Sequence, residues 1–252
     1  FHRLWARLLA VAFLVPFIYF LVRGTFQRSM ILPMFYLFLL GGLQGFIGWI
    51  MVKSGLNPDD LYVSHYRLAI HFLTALVLLC YTLWFALRLL LPFSIFPSSR
   101  SLLIFPWILV PLLILQLIYG AFMAGLKAAA VAPTWPSLNG HWWISLQGVA
   151  LTSDPLAVQF IHRLLAYLMV LIHVFWWWRV RQVAASSHQK RFLHLPVYLV
   201  LVQLGLGIAT VLFSGNRHSL LVWGTLHQFS AMLLVLAWMT ILYVQFVLRP
   251  AR

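Results

Sequence analysis

Seven long, unbroken apolar runs leave this chain few ways to fold. They extend from about Leu4 to Val22, Ile31 to Val52, His65 to Leu90, Leu102 to Leu126, Val158 to Val180, Leu195 to Phe213 and Leu220 to Val247. Each is long enough to cross the hydrocarbon core of a bilayer as a helix. The bilayer offers the backbone no water to bond, so a spanning run is either a helix or a strand of a closed barrel. Barrel strands alternate apolar and polar residues over short segments, and these runs do not. With 63% of its 252 residues hydrophobic and 8% charged, the chain lies outside the range of soluble globular domains. The expected fold class is an all-α polytopic membrane protein.

The formal charge of +14 does not indicate a nucleic-acid partner. The acids are Asp59, Asp60 and Asp154, and the basic residues gather at the ends of the runs, as expected for membrane topology and attraction to anionic lipid. Connections after the first, third, fifth and seventh runs carry Arg23, Arg28, Arg88, Arg100, Arg179, Arg181, Lys190, Arg191, Arg249 and Arg252. The opposite connections hold fewer basic residues and all three aspartates. The first set therefore belongs to the cytoplasm or matrix, with Phe1 outside and the C-terminus inside. Cys80 is the single cysteine, which excludes an internal disulfide or thiolate cluster, and it reads as a small buried hydrophobe. Phe1-His2-Arg3 opens directly into an apolar run with no signal-peptide pattern, so the chain is expected to begin downstream of another segment.

An internal repeat organises the runs. His2-Arg3-Leu4-Trp5-Ala6 matches His162-Arg163-Leu164-Leu165-Ala166, Gln44 and Gly48 match Gln203 and Gly207, and Ser54-Gly55 matches Ser214-Gly215. His71-Phe72-Leu73-Thr74-Ala75 then matches His227-Gln228-Phe229-Ser230-Ala231, after a small slip absorbed by the loops. The run from Leu102 to Leu126 has no counterpart after Phe1. Seven runs thus read as eight less one, forming two pseudo-symmetric four-helix bundles over residues 1–100 and 101–252.

The repeat puts His2 with His71 and His162 with His227, all near the outer ends of their spans. Histidine is costly in a bilayer, and imidazoles from facing helices are common axial ligands of haem iron. Four repeat-related histidines at one depth therefore suggest two bis-histidine haem sites. His173 has no repeat partner and reads as a packed core residue. Arg3, Arg67 and Arg163 flank the candidate ligands, where they could pair with haem propionates or snorkel to the interface. Gln44 and Gln203 lie mid-span, suited to bonding across helices or lining a cavity. Gly41, Gly42, Gly45, Gly48, Gly205 and Gly207 permit close approach of a helix or porphyrin. The longest connection, Lys127 to Ala157, contains Thr134-Trp135-Pro136-Ser137-Leu138-Asn139-Gly140 and reads as an interfacial loop or a lid. No Gly-rich phosphate loop, Ser-His-Asp arrangement or glutamate is present.

The chain resembles the haem A synthase family of eight-span membrane enzymes. The resemblance is carried by His2-Arg3-Leu4-Trp5-Ala6-Arg7, Gly41 to Trp49 with Met51 to Leu56, Tyr66-Arg67-Leu68-Ala69 with His71, and Gly120 to Gly125. Thr134-Trp135-Pro136, His162 to Ala166 and Gly224-Thr225-Leu226-His227-Gln228 continue it. It implies oxidation of a methyl group of haem O to a formyl group, giving haem A for terminal oxidase biogenesis. It also implies a resident haem b, with iron held by His162 and His227 and Arg163 beside it. Substrate haem O would bind near His2, His71, Arg3 and Arg67. The family's catalytic glutamate would precede Phe1; its repeat equivalent in the second half is Gln159. The absence of paired outer-loop cysteines points to the branch resembling mitochondrial and proteobacterial enzymes. Partners implied are membrane lipid, haem O synthase and terminal oxidase assembly proteins. The expected location is a bacterial inner membrane, with the mitochondrial inner membrane as the alternative. A dihaem quinol-linked cytochrome and a non-catalytic haem carrier are the competing readings. The cytochrome would stack its haems towards opposite membrane faces, whereas both histidine pairs here lie at one depth.

Overall fold

The computed structural model describes residues 2–55, 61–91, 100–182 and 187–246, with side chains for all of these except His2, 100–104, 187–192 and 245–246. Their secondary structure is α1 (His2–Val22), α2 (Arg28–Val52), α3 (His65–Leu90), α4 (Arg100–Gly125), α5 (Pro155–Val180), α6 (Ser187–Leu212) and α7 (Arg217–Phe246), with a 3-10 turn at Ala128–Ala130. All seven long helices are apolar and long enough to cross a membrane. The all-α polytopic membrane fold expected from the apolar runs is the fold observed.

Helix starts differ from the apolar boundaries for an identifiable reason. Hydropathy registers where lipid begins, whereas capping registers where the helix begins. Pro155 occupies the first turn of α5, and the Asp154 carboxylate accepts from the Ala157 N–H at 2.8 Å, so α5 starts before its apolar run. Asn216 caps α7 in the same manner, its side-chain oxygen accepting from the backbone of His218 and Ser219 at 2.9 and 3.0 Å. At the end of α1, Gly24 takes φ +64°, a conformation that lets the chain leave the helix.

The chain divides into two compact units, Phe1–Ala86 and Leu87–Arg252, the division falling in the last turn of α3. In the first unit, Phe17 stacks on Phe13 at 5.6 Å between ring centres and meets Phe26 at 5.9 Å. Tyr81 of α3 donates to the Pro33 carbonyl of α2 at 3.3 Å. In the second unit, Leu109, Leu113, Leu117 and Ala121 form a buried stripe along α4, spaced four residues apart. Met169, His173, Trp176 and Val180 form the corresponding stripe on α5, and Leu234, Trp238 and Ile241 that on α7. His162 and His227 continue the α5 and α7 stripes one or two turns towards the helix N-termini, which places them between helices.

Candidate functional site

His162 is eight residues into α5, and His227 eleven into α7. The structure brings them together, with ring centres 6.3 Å apart and ring planes at 78°. Two imidazoles sharing one iron, each bound through a nitrogen at about 2 Å, hold their ring centres about 6 Å apart. His162 Nδ1 is buried without a hydrogen-bond partner in the structure. The pair thus has the separation, the helix placement and an unspent nitrogen that a bis-histidine metal site needs. Among the described residues no group of three or more His, Cys, Asp or Glu could hold a metal ion.

Each described histidine of the proposed sites meets a Gln-x-x-x-Gly element on the preceding helix. On α6, Gln203 Nε2 lies 3.3 Å from His227 Nε2, and the Gln203 carbonyl is 3.1 Å from His227 Nδ1. A Cβ on Gly207 would stand 3.0 Å from His227 Cε1, so the missing side chain makes room for the ring. On α4, Gln116 Nε2 is 3.4 Å from His162 Nε2, and a Cβ on Gly120 would meet His162 Cε1 at 3.4 Å. On α2, Gln44 Nε2 is 3.2 Å from His71 Nδ1, and a Cβ on Gly48 would come within 2.8 Å of His71 Cε1. Gln116 is the residue sequence reasoning missed. Its spacing to Gly120 repeats Gln44 to Gly48 and Gln203 to Gly207, and that spacing was the available signal. Gly41, Gly42, Gly45 and Gly205 have nothing within 4 Å of an added Cβ, so the close approach is confined to Gly48 and Gly207, with Gly120 looser.

The His2 side chain lies outside the described residues. Arg3 is exposed on α1. Arg67 is also exposed, and it donates to the Ile50 carbonyl in the last turn of α2 at 3.0 Å. Arg163, one residue after His162, is buried and turned towards the outer loop, donating to the Ala132 carbonyl at 3.0 Å and the Ser137 carbonyl at 3.2 Å. Its Nε is buried without a hydrogen-bond partner. Gln159, fully buried, donates to the same Ala132 carbonyl at 3.0 Å. His173 accepts from Trp238 Nε1 at 2.8 Å, and its Nδ1 donates to the Met169 carbonyl at 2.7 Å. Both of its ring nitrogens are spent, as befits a packed core histidine rather than a ligand.

The loop between α4 and α5 packs over the α5 N-terminus. Ala132, Leu138 and Phe160 form a small core with Ile144, Leu146, Leu156 and Ile161 around it. Trp143 meets Phe160 edge-on at 5.0 Å. Asn139 and Gly140, both at positive φ, form a tight turn whose flanking residues Leu138 and His141 exchange backbone hydrogen bonds of 2.8 and 3.0 Å.

Against known proteins, the model of a family described as cytochrome oxidase assembly protein, COX15-CtaA, matches residues 1–239. A haem A synthase of Rhodospirillum centenum is 37% identical over 249 residues, covering 94% of this chain and 64% of that protein. Haem A synthases of Nitrosomonas eutropha and Flavobacterium psychrophilum are each 34% identical; the alignments cover 94% and 93% of this chain and 68% and 70% of theirs. The chain spans roughly two thirds of the length of these relatives.

Proposed function

The chain belongs to the cytochrome oxidase assembly protein family, and from that membership we propose that it is a haem A synthase, oxidising the methyl group of haem O to the formyl group of haem A. The observation that carries the reading is the facing pair of His162 and His227, with ring centres 6.3 Å apart. We assign the pair to a resident haem b in the half spanning residues 101–252. His71, with Gln44 above it, belongs to the substrate half, residues 1–100, together with His2, Arg3 and Arg67. When bound, haem b supplies one-electron transfer to and from the substrate half.

The remaining steps fall to the protein's own residues. His162 and His227 would hold the cofactor from two helices at once, α5 and α7. Gly120 and Gly207 allow α4 and α6 to approach those rings, and the flanking apolar stripes exclude water from them. Arg163 supports the site indirectly, by tying the outer loop to α5 beside His162. In the first half, His71 would hold the iron of haem O while Arg3 and Arg67, near the outer helix ends, offer cationic partners to its propionates. Haem O synthase upstream and terminal oxidase assembly downstream are the partners this reaction requires. The bacterial inner membrane is the location that suits it, its relatives being bacterial.

The test is to supply the full-length protein with haem O and extract its pigments. Haem A should accumulate; its absence would sink the synthase reading. Substituting His162 or His227 with alanine should remove the low-spin b-type spectrum. Substituting His71 should spare that spectrum yet abolish product, and four histidines behaving alike would overturn the division of roles.

A further inference from the structure

One histidine in each half is met by a glutamine whose side-chain oxygen accepts from a hydroxyl three residues after that histidine. Ser230, three residues after His227, donates to Gln203 Oε1 and lies 3.1 Å from the His227 carbonyl. With its oxygen engaged by the hydroxyl, the Gln203 amide presents its N–H to His227 Nε2 at 3.3 Å. Nδ1 of the same ring faces the Gln203 carbonyl at 3.1 Å. A carbonyl can only accept, so Nδ1 carries the proton and Nε2 the lone pair. Every donor faces an acceptor; turning the amide over would set its oxygen against the Nε2 lone pair, and turning the ring over would replace both nitrogens with C–H groups.

Thr74 stands in the same relation to Gln44, donating to its Oε1 at 2.6 Å and lying 3.1 Å from the His71 carbonyl. The Gln44 amide, however, meets the other edge of its ring, with Nε2 3.2 Å from His71 Nδ1, and also donates to the His71 carbonyl at 3.1 Å. His162 lacks this arrangement. The residue three positions on is Leu165, and Gln116 Oε1 is buried without a partner. A hydroxyl on Gln203 and on Gln44, but none on Gln116, separates orientation of one ligand per half from ordinary helix contact.

We propose that Ser230 and Gln203 are positioning residues that preset His227 for haem. The inference rests on the haem reading above. The hydroxyl sets the amide, and the amide and carbonyl set the ring, so Nε2 stays neutral and available. Nε2 is the nitrogen His227 would offer to iron, with Nδ1 held by the Gln203 carbonyl. Removing a partner that fixes a ligating imidazole changes metal affinity by roughly 10- to 100-fold.

The experiment uses full-length protein prepared from haem-starved cells and titrated with haemin, reading the low-spin absorption bands and the electron paramagnetic resonance signal. Ser230→Ala and Gln203→Leu should weaken haemin binding about 10-fold and broaden the low-spin signal as the ring takes several rotations. Ser230→Thr, which keeps the hydroxyl, should restore both to within about twofold of wild type. The proposal is overturned if Ser230→Ala matches wild type in both readouts, or if Ser230→Thr is as weak as Ser230→Ala. Should Gln203→Leu fail to fold, the two Ser230 variants decide. Wild-type protein that forms no low-spin haem would overturn the haem reading itself, a result distinct from failure of the Ser230 variants in protein that does.

Discussion

Gly207 and Gly120 meet the two facing histidines at different distances, and that difference decides what an added methyl group does. At Gly207 a Cβ would lie 3.0 Å from His227 Cε1 and 3.4 Å from Nδ1, so the ring must give way by a few tenths of an ångström. At Gly120 the contact with His162 Cε1 is 3.4 Å, close to ordinary van der Waals packing. Gly207→Ala is therefore expected to shift the b-type absorption bands and lower haem occupancy, with Gly120→Ala changing both less. Gly48→Ala, at 2.8 Å from His71 Cε1, should leave the bands in place and cut haem A formation. Gly45→Ala, with open space around it, is the control. The visible spectrum of purified protein with pigment extraction checks all four. The repeat in the sequence located the histidines with Gly48 and Gly207, but not Gly120. It could not rank the glycines, because the ranking depends on which way each helix is turned, and a run as rich in glycine as Gly41 to Gly48 reads alike from every side. Gln116 escaped notice because no other stretch of the sequence pairs with the run from Leu102 to Leu126 as the repeat pairs the other helices.

Between α4 and α5 the connection is held down by its carbonyls as well as by Trp135, which donates to the Tyr167 hydroxyl at 3.1 Å, and Trp143. The Ala132 carbonyl accepts from both Gln159 and Arg163, the Ser137 carbonyl accepts from Arg163 again, and Ser214 at the end of α6 donates to the Ala129 carbonyl at 3.1 Å. Composition marked this stretch as an interfacial loop or a lid, because Pro, Gly and Trp report turns and interfaces but not where a backbone carbonyl points. The span positions were legible to within a few residues, since apolar length alone constrains them, and the polar first turns of α2, α6 and α7 were not. Arg163 shows the same limit. Next to a candidate ligand it suggested a propionate partner, and its two donated bonds go to the loop. A hydrogen bond from a charged donor contributes about 1.5–3 kcal/mol, so Arg163→Met, which keeps most of the packing and removes both bonds, should cost about 3 kcal/mol or more. The expected outcome is faster protease cleavage within 127–154 and loss of the low-spin spectrum at lower temperature. Cleavage and thermal midpoint equal to wild type would mean that Phe160, Leu138 and Ala132 hold the loop unaided.

Across the whole chain, the distribution of charge argues for one orientation. Arg23, Arg28, Arg88, Arg179 and Arg181 flank the connections after α1, α3 and α5, whereas Asp154 and the uncharged stretch from Ala128 to Ser153 lie between α4 and α5. Basic residues in short connections stay on the cytoplasmic side, which places the 127–154 loop outside and sets His162, early in α5, towards the outer leaflet. Cys80 makes this testable, because as the single cysteine it can be removed by Cys80→Ala to give a background without thiols. Leu151→Cys in the outer loop and Gln27→Cys before α2 both replace exposed residues, and Gln27 makes no side-chain cap bond. In intact cells a membrane-impermeant maleimide should label the Leu151→Cys protein, and the Gln27→Cys protein only after permeabilisation. The reverse pattern would place the loop, its aspartate and the proposed haem pair on the cytoplasmic side, and would require the arginines after α1, α3 and α5 to have crossed the membrane. Labelling of both from one side would contradict the helix count itself, since an odd number of spans, α2 to α4, separates the two positions.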